Sequence, residues 1–207
     1  MKGFITIEGC DGVGKTYQTA KLKEYCEKTN QNVVFTREPG GSKVAEKIRN
    51  IILDSENDTM CDKCEAFLYA SARIQHLNDI VIPALKEGKT VICDRFVDSS
   101  YVYQGLGRGL GYENVKALND IAVGEYMPEY TFFLELTPEL AFERKGGNDV
   151  KDRLEICDKD FYKKVYDGYH MLIDSYPERF VVIDAKGSKN ETHEKIVSEM
   201  KKRGIIK

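Results

Sequence analysis

The chain has 207 residues, of which 42% are hydrophobic and 31% are charged, and its 31 Lys and Arg against 34 Asp and Glu give a net charge of −3. This composition is typical of a folded globular protein, and it excludes a disordered or collagen-like chain. A net negative charge provides no general attraction to nucleic acid or to an anionic membrane, so small molecules are the expected partners.

No run of the sequence approaches the roughly 18 apolar residues that a membrane helix needs, and Met1 leads directly into a strand pattern rather than a signal peptide. We therefore expect a cytoplasmic protein that binds neither membranes nor nucleic acid. The length predicts one domain over residues 1–207. A core of the expected size needs no disulfides, so the six cysteines are expected to be reduced.

Five short apolar runs predict buried strands: Phe4–Ile7, Val33–Phe35, Val91–Cys93, Phe132–Leu136 and Phe180–Ile183. Each run is continuously apolar rather than alternating, which is typical of a strand with helices on both of its faces. Segments of helical period separate the runs. The pattern predicts an α/β protein with a parallel sheet, whose ligands bind at the carboxyl ends of the strands.

A phosphate-binding loop follows the first predicted strand and precedes a helix. It matches G-x-x-x-x-G-K-[ST] and consists of Gly9, Cys10, Asp11, Gly12, Val13, Gly14, Lys15 and Thr16. The glycines allow successive backbone N–H groups to point at phosphate oxygens, and the helix N-terminus adds a partial positive charge. We expect Lys15 to reach the β- and γ-phosphates of a nucleotide and Thr16 to offer its hydroxyl to Mg²⁺.

Charged residues follow the second and third predicted strands. Asp94 ends an apolar strand, as a Walker B aspartate does, and is a second candidate ligand for Mg²⁺. Arg95 follows it, and its planar guanidinium suits bidentate capture of an acceptor phosphate. Arg37 at the end of the second strand is expected to contact the same phosphate, although pairing with Glu38 or another carboxylate is equally compatible with the sequence.

The segment 65–87 predicts a helix, because apolar residues recur at spacings of three and four. The predicted core stripe is Phe67, Ala70, Ile74, Leu77, Val81 and Ala84. Tyr69 and Arg73 are four residues apart on a face away from this stripe, so they can contact one ligand together. The same pair is also common on exposed helix surfaces, and spacing alone leaves both interpretations open.

Four motifs in register resemble the thymidylate kinase family: the phosphate loop, the turn 37–41 (Arg-Glu-Pro-Gly-Gly), the segment 94–96 (Asp-Arg-Phe) and the segment 103–105 (Tyr-Gln-Gly). The resemblance extends along the whole chain. It implies phosphorylation of dTMP to dTDP with Mg·ATP, a five-stranded parallel sheet in the order 2-3-1-4-5, and a cytosolic homodimer.

The resemblance also implies roles for individual residues. Asp11 would accept a hydrogen bond from the sugar 3′-hydroxyl, and Arg73 would donate to the thymine O4. Position 69 is Tyr where the family usually has Phe, so stacking on thymine is retained and a hydroxyl is added. The implied thymidine pocket is completed by Ser99, Ser100, Tyr103 and Gln104, with the Tyr103 ring excluding a ribose 2′-hydroxyl.

A polar, glycine-hinged segment at about 144–155 predicts a mobile lid, although a solvated surface loop fits the composition as well. Phosphoryl transfer needs cations around the moving group, and the phosphate loop contains no arginine. As in relatives whose lid supplies the arginine, we assign this work to Arg153, with Arg144 as a second donor to the phosphates of ATP.

Two other functions remain open at this stage. One is a phosphate-loop kinase that acts on a different nucleoside monophosphate. The other is a nucleotide-dependent switch or assembly protein, although the Asn-Lys-x-Asp segment of a GTPase does not occur in the chain. The pair Cys61 and Cys64 lacks the further ligands of a zinc site, while Cys10 is expected to have a lowered thiol pKa because it lies near a helix N-terminus.

Overall fold

The computed structural model describes residues 1–145 and 159–207. In chain order these residues form β1 (Phe4–Glu8), α1 (Lys15–Lys28), β2 (Val33–Arg37), α2 (Lys43–Leu53), α3 (Asp62–His76), a π-helical segment (Leu77–Val81), α4 (Ile82–Lys86), β3 (Thr90–Asp94), α5 (Val97–Ser100), a second π-helical segment (Tyr101–Gly107), α6 (Tyr112–Val123), β4 (Tyr130–Glu135), α7 (Pro138–Lys145), α8 (Lys159–Ser175), β5 (Phe180–Asp184) and α9 (Lys189–Lys202).

The strands form one parallel sheet in the order β2-β3-β1-β4-β5. This confirms the predicted α/β class and the strand order implied by the family resemblance. The register pairs Asp94 with both Ile7 and Arg37, so the ends of the three strands on one side of the sheet lie level. The charged residues that follow those strands are thereby brought to one edge.

The central strands of the sheet lie in the hydrophobic core, as their apolar sequences predict. All five residues of β1 are buried, as are Phe132 and Phe133 in β4, because helices cover both faces of the central strands. Continuous apolar runs are therefore a consequence of burial on two sides. No helix among residues 1–145 and 159–207 is both long and apolar enough to cross a membrane.

The predicted core stripe of α3 is partly wrong. Ala70, Leu77, Val81 and Ala84 are buried, but the side chains of Phe67 and Ile74 are 61% and 42% exposed. Phe67 and Ile74 both lie before the π-helical segment at Leu77–Val81, so the buried face of α3 itself is rotated from the predicted stripe and runs through Ala66, Ala70 and Arg73. The buried face of α3 instead carries Tyr69 and Arg73.

Candidate active site

A cavity of about 550 Å³ lies at the carboxyl edge of the sheet, between the phosphate loop, the end of β3 and the buried face of α3. It brings together most of the predicted site residues. Those that line it are Asp11, Gly12, Gly14, Lys15, Thr16, Arg37, Tyr69, Arg73, Asp94, Arg95, Ser99, Ser100, Tyr103 and Gln104. One cavity thus joins the predicted nucleotide-phosphate site to the predicted acceptor site.

The phosphate loop has the backbone that the motif requires. Gly12 has a φ of +86°, and a Cβ there would lie 2.6 Å from the carbonyl oxygen of Ala141, so only glycine fits. The Nζ of Lys15 donates to the carbonyl oxygens of Gly9 and Cys10, at 2.9 Å each. Desolvation of this buried ammonium lowers its pKa. Because an ammonium has three N–H donors, one remains for a phosphate oxygen.

Cys10 and Val13 contribute to the loop through their backbone, since both side chains are buried in the hydrophobic core. The expectation of a lowered pKa for Cys10 is wrong. Desolvation raises the pKa of its thiol to about 12, and this outweighs the effect of the nearby ammonium of Lys15. Cys10 is therefore a packing residue with an unreactive thiol.

Asp94 and Thr16 both line the cavity, at the end of β3 and at the start of α1. The Oδ1 atom of Asp94 is buried and makes no hydrogen bond to the described residues. A buried carboxylate oxygen without a donor is suited to a cation. The described residues contain no cluster of three or more His, Cys, Asp or Glu side chains that could hold a metal by themselves.

Arg95 and Asp11 form an ion pair that links the end of β3 to the phosphate loop. Arg95 Nη2 donates to Asp11 Oδ1 at 2.5 Å, and the hydroxyl of Tyr103 donates to Asp11 Oδ2 at 2.8 Å. The Tyr103 ring also lies under the guanidinium, at 5.1 Å. Burial alone would raise the pKa of Asp11, but the charges of Arg95 and Lys15 lower it to about 2.

Arg73 is almost completely buried and is held by three partners. Its Nε donates to Glu38 Oε2 at 2.8 Å, its Nη2 donates to Ser100 Oγ at 3.1 Å, and its Nη1 donates to Asn119 Oδ1. Glu38 is fixed in turn by His76, whose Nδ1 lies 2.9 Å from Glu38 Oε1. The guanidinium therefore has a fixed position in the cavity wall. Buried charges of this kind are found where they are fully paired.

Gln104 occupies the same wall. Its Nε2 donates to Glu65 Oε1 at 2.9 Å, and both side chains are buried. This contact sets the orientation of the Gln104 amide, because the amide nitrogen is used by a fixed carboxylate. The amide oxygen is then the end that can accept a hydrogen bond from a ligand.

Arg37 and Arg144 contact groups of the protein itself where the sequence predicts contacts with phosphates. Arg37 is at the cavity edge, where its guanidinium makes two hydrogen bonds to Glu46, at 2.9 and 3.1 Å. Of the alternatives open in the sequence, the structure thus has a carboxylate pair, with a partner on α2. Arg144 is outside the cavity, and its guanidinium donates to three carbonyl groups between β5 and α9, those of Ala185, Lys186 and Gly187. Arg153 and nearly all of the predicted lid lie outside the described residues.

Sequence reasoning missed several cavity residues: Glu38, Pro39, Arg49, Leu53 and Phe96. Glu38 and Pro39 belong to a motif that the sequence analysis quotes, so their position next to Arg37 was an available signal. Arg49 and Leu53 are on α2 and come to the cavity only because α2 packs against α3. No local pattern in the sequence indicates that packing.

Known proteins that are similar to this chain are thymidylate kinases. The thymidylate kinase family model matches residues 7–196. The thymidylate kinase of Thermoanaerobacter sp. (strain X514) is 48% identical over 203 residues, covering 98% of this chain and 99% of the relative. That of Lactobacillus acidophilus is 49% identical over 207 residues, covering 98% and 96%. The crystal structure of thymidylate kinase from Ehrlichia chaffeensis superposes with a TM-score of 0.78 at 32% identity, covering 95% and 97%. The chain therefore belongs to the thymidylate kinase family.

Proposed function

We propose that the protein transfers the γ-phosphoryl group of ATP to dTMP, giving dTDP, and so contributes to the synthesis of dTTP. One observation carries the proposal for this chain's own residues. The phosphate loop and the Arg95–Asp11 pair line the same cavity as Tyr69 and Arg73, so a nucleotide phosphate and an acceptor nucleotide have adjoining sites. Phosphoryl transfer requires this proximity more than it requires a covalent intermediate or a general base.

The donor site is the phosphate loop. Its backbone N–H groups and the N-terminus of α1 would hold the phosphates of ATP, and Lys15 would contact the β- and γ-phosphates through its remaining N–H. The two carbonyl contacts of Lys15 keep the ammonium over the loop before any nucleotide binds. Preorganised positive charge of this kind stabilises the transferring group without reorganisation. Arg153 and Arg144 remain predicted as further cations.

The phosphate and sugar of the acceptor would be held by Arg95 and Asp11. The guanidinium of Arg95 faces the cavity and suits bidentate contact with a monophosphate. Arg37 at the cavity edge remains a predicted second contact. Asp11 stays ionised because its pKa is about 2, so it can accept from a 3′-hydroxyl. The ring of Tyr103, fixed by Asp11 and Arg95, would restrict the space at the 2′ position.

The base would lie between Tyr69 and the wall formed by Arg73, Ser100 and Gln104. Tyr69 provides an aromatic face for stacking. Arg73 provides donors for a base carbonyl, and Gln104 provides an amide oxygen for a ring N–H. Donors opposite O4 together with an acceptor opposite N3 fit thymine and do not fit cytosine, which has an amino group at position 4 and no hydrogen at N3.

The residues present fit the expected Mg²⁺. Asp94 supplies an unpartnered buried oxygen and Thr16 supplies a hydroxyl, both in the cavity wall beside the phosphate loop. When bound there, Mg²⁺ would offset the negative charge of the phosphates. Two protein oxygens are consistent with the way this ion is usually held, by one or two side chains together with substrate phosphates and water.

The reaction is tested by measuring ADP formation from Mg·ATP with each common nucleoside and deoxynucleoside monophosphate, beside a control without acceptor. We expect turnover that depends on an acceptor and is fastest with dTMP. A preference for another monophosphate would keep the donor site and overturn the assignment of the base pocket. ATP hydrolysis that needs no acceptor would instead favour a nucleotide-dependent switch.

Replacing Arg73 by Ala is expected to raise the KM for dTMP by about a hundredfold and to leave ATP affinity unchanged. Truncating one partner of a buried, hydrogen-bonded charge pair costs roughly 2–5 kcal/mol, and the acceptor loses its fixed donors. Steady-state kinetics with both substrates, together with calorimetric titration of ATP, provides the measurement. Arg179→Ala is a matched control, since it also removes the arginine partner of a buried carboxylate, Asp98, outside the cavity. An equal rise of KM in the control would contradict the assignment.

We infer that the protein is a homodimer and that a second copy covers an apolar face on α2, α3 and α6. This face consists of Val44, Ile51, Phe67, Ile74 and Ile121. Its three helices pack side by side, and Ile121 is 83% exposed in the single chain. Exposed apolar side chains on helices that pack side by side are typical of an interface, and an isologous dimer would bury the same face on both subunits. A cytoplasmic location likewise remains a prediction from the sequence.

Introducing a charge into this face is expected to separate the subunits. We expect Phe67→Glu to shift the mass in solution from two chains to one, because an uncompensated carboxylate would be buried in the interface. Val182→Glu introduces the same charge at a comparably exposed residue on the edge strand β5, and is expected to leave the mass unchanged. Sedimentation velocity distinguishes the two states. A monomeric wild-type protein, or a dimeric Phe67→Glu variant, would contradict this interface.

A further inference from the structure

Glu8 is a completely buried carboxylate for which the reaction described above has no use. It is the last residue of β1 and directly precedes the phosphate loop. Desolvation raises the pKa of the Glu8 carboxyl, and the positive charge of Arg95 offsets only part of this increase. Burying a carboxylate is costly, so its contacts identify what it does in the fold.

Within the described part of the chain, every group that hydrogen-bonds to the Glu8 carboxylate is a donor. Oε1 accepts from the backbone N–H groups of Phe96 and Ser99, at 2.7 and 3.3 Å. Oε2 accepts from the hydroxyls of Ser99 and Tyr169, at 2.7 and 2.8 Å. A carboxylate can accept from all of these groups, whereas an amide would face some of them with its own N–H donors. The site is therefore built for a charged side chain.

Glu8 accepts hydrogen bonds from backbone N–H groups that closely follow Arg95 in the sequence, and these bonds fix the turn that carries Arg95. Arg95 has a φ of +65°, in the left-handed region that residues other than glycine rarely adopt. Its own N–H donates to the carbonyl oxygen of Ile7, the residue before Glu8. Glu8 then holds the N–H of the next residue, Phe96, and that of Ser99. The surrounding structure thus fixes a strained turn, as is typical of functional sites.

A side-chain connection runs from Glu8 to the guanidinium of Arg95. Ser99 Oγ donates to Glu8 Oε2 and accepts from Arg95 Nη1 at 3.0 Å. Arg95 Nη1 itself is 3.9 Å from Glu8 Oε2. The other end of the guanidinium, Nη2, is held by Asp11. Glu8 and Asp11 therefore hold opposite ends of one planar group and set its orientation in the cavity.

We propose that Glu8 is a positioning residue that orients Arg95 for the phosphate of the acceptor nucleotide, through Ser99 and through the backbone of the turn that carries Arg95. The proposal rests on the proposed function, in which Arg95 binds that phosphate. Glu8 itself contacts no substrate. Its loss would weaken recognition of the phosphate group and would not affect recognition of the thymidine part.

The test compares the affinity of dTMP with that of thymidine, which lacks the phosphate, by calorimetric titration. The ratio of the two affinities reports the contribution of the phosphate. We expect Glu8→Gln to reduce this ratio by about tenfold, or roughly 1.4 kcal/mol, with thymidine affinity changed less than about twofold. A general loss of structure would weaken both ligands alike, and that result would overturn the proposal.

Arg95→Ala separates the proposal from the proposed function on which it rests. An unchanged ratio in Arg95→Ala would overturn the assignment of Arg95 itself. A reduced ratio in Arg95→Ala with a normal ratio in Glu8→Gln would overturn the role of Glu8 alone. In the double variant we expect no reduction beyond that of Arg95→Ala, because Glu8 acts through Arg95.

Ser99→Ala provides a milder variant if Glu8→Gln does not fold. It removes the side-chain connection and retains the contact of Glu8 with the backbone N–H of Phe96. We expect a smaller reduction of the same ratio, about threefold. Because Ser99 also lines the cavity, any loss of thymidine affinity in this variant is divided out of the ratio. A ratio equal to that of the wild-type protein would overturn the proposed route through Ser99.

Discussion

Replacing Lys15 by Met is expected to lower kcat by about a thousandfold in a protein that stays folded. Removing one preorganised donor at a site of developing charge costs about 10² to 10³ in rate, and Lys15 is both a donor and a full positive charge. Its Nζ already lies over the phosphate loop, on the carbonyl groups of Gly9 and Cys10. The measurement is single-turnover transfer from ATP to dTMP at saturating concentrations of both.

Stability is expected to change little in Lys15→Met. The side chain is buried and the pKa of its ammonium is lowered by desolvation, so an unbranched apolar side chain avoids that cost. Against this, the carbonyl groups of Gly9 and Cys10 lose a donor, at about 1 kcal/mol for each hydrogen bond. Lys23→Met, on the exposed side of the same helix, provides the control and should retain wild-type kcat. Retention of a tenth of the activity by Lys15→Met would contradict the assigned role.

Replacing Asp94 by Asn is expected to lower kcat by about a hundredfold and to abolish most of the effect of Mg²⁺ on ATP binding. The variant keeps the shape of the side chain and replaces a charged oxygen ligand with a neutral amide, which Mg²⁺ binds far less well. The position matters because Asp94 Oδ1 has no donor among the described residues and lies at the cavity wall. Stability is expected to be retained or slightly increased, since a half-buried charge with one buried, unpartnered oxygen is removed.

Two measurements examine Asp94→Asn. Calorimetric titration of ATP with and without Mg²⁺ gives the metal effect independently of turnover, and the Mg²⁺ dependence of kcat gives the effect on the reaction. Asp184→Asn is a suitable control, because Asp184 likewise ends a parallel strand, β5 at the far edge of the sheet, but is exposed and pairs with Lys195. If Mg²⁺ strengthens ATP binding equally in Asp94→Asn and in the wild-type protein, the metal ligand lies elsewhere.

The sheet and the phosphate loop were predictable because their signals are local. A strand buried on both faces needs a continuous apolar run, and each of the five runs became a strand. The loop needs glycine at backbone positions that no other residue can adopt, such as Gly12. In a parallel sheet, strand direction then places the residues after each strand at one edge. For that reason Arg95 and Asp94 were correctly expected beside the loop.

Helix α3 shows that the periodicity of apolar residues can predict a helix without predicting which face of it is buried. Its spacing of apolar residues correctly predicts a helix, yet Phe67 and Ile74 face outward while Arg73 is buried. Both apolar residues precede the π-helical turn at Leu77–Val81, and the spacing of apolar residues does not show that the packed face of α3 includes an arginine. Burial of Arg73 is favourable only because Glu38, Ser100 and Asn119 accept hydrogen bonds from its guanidinium. These three residues lie outside α3.

The α/β class, the phosphate loop and, through the motifs, the kinase family were all predictable from the amino-acid sequence. These depend on runs of residues that are adjacent along the chain. Tertiary structure alone decided which charges meet: Arg95 with Asp11, Arg37 with Glu46, and Glu8 with the turn that carries Arg95. Pairing between distant segments depends on how helices pack on the sheet. Buried polar groups are stable only where that packing gives each of them a partner.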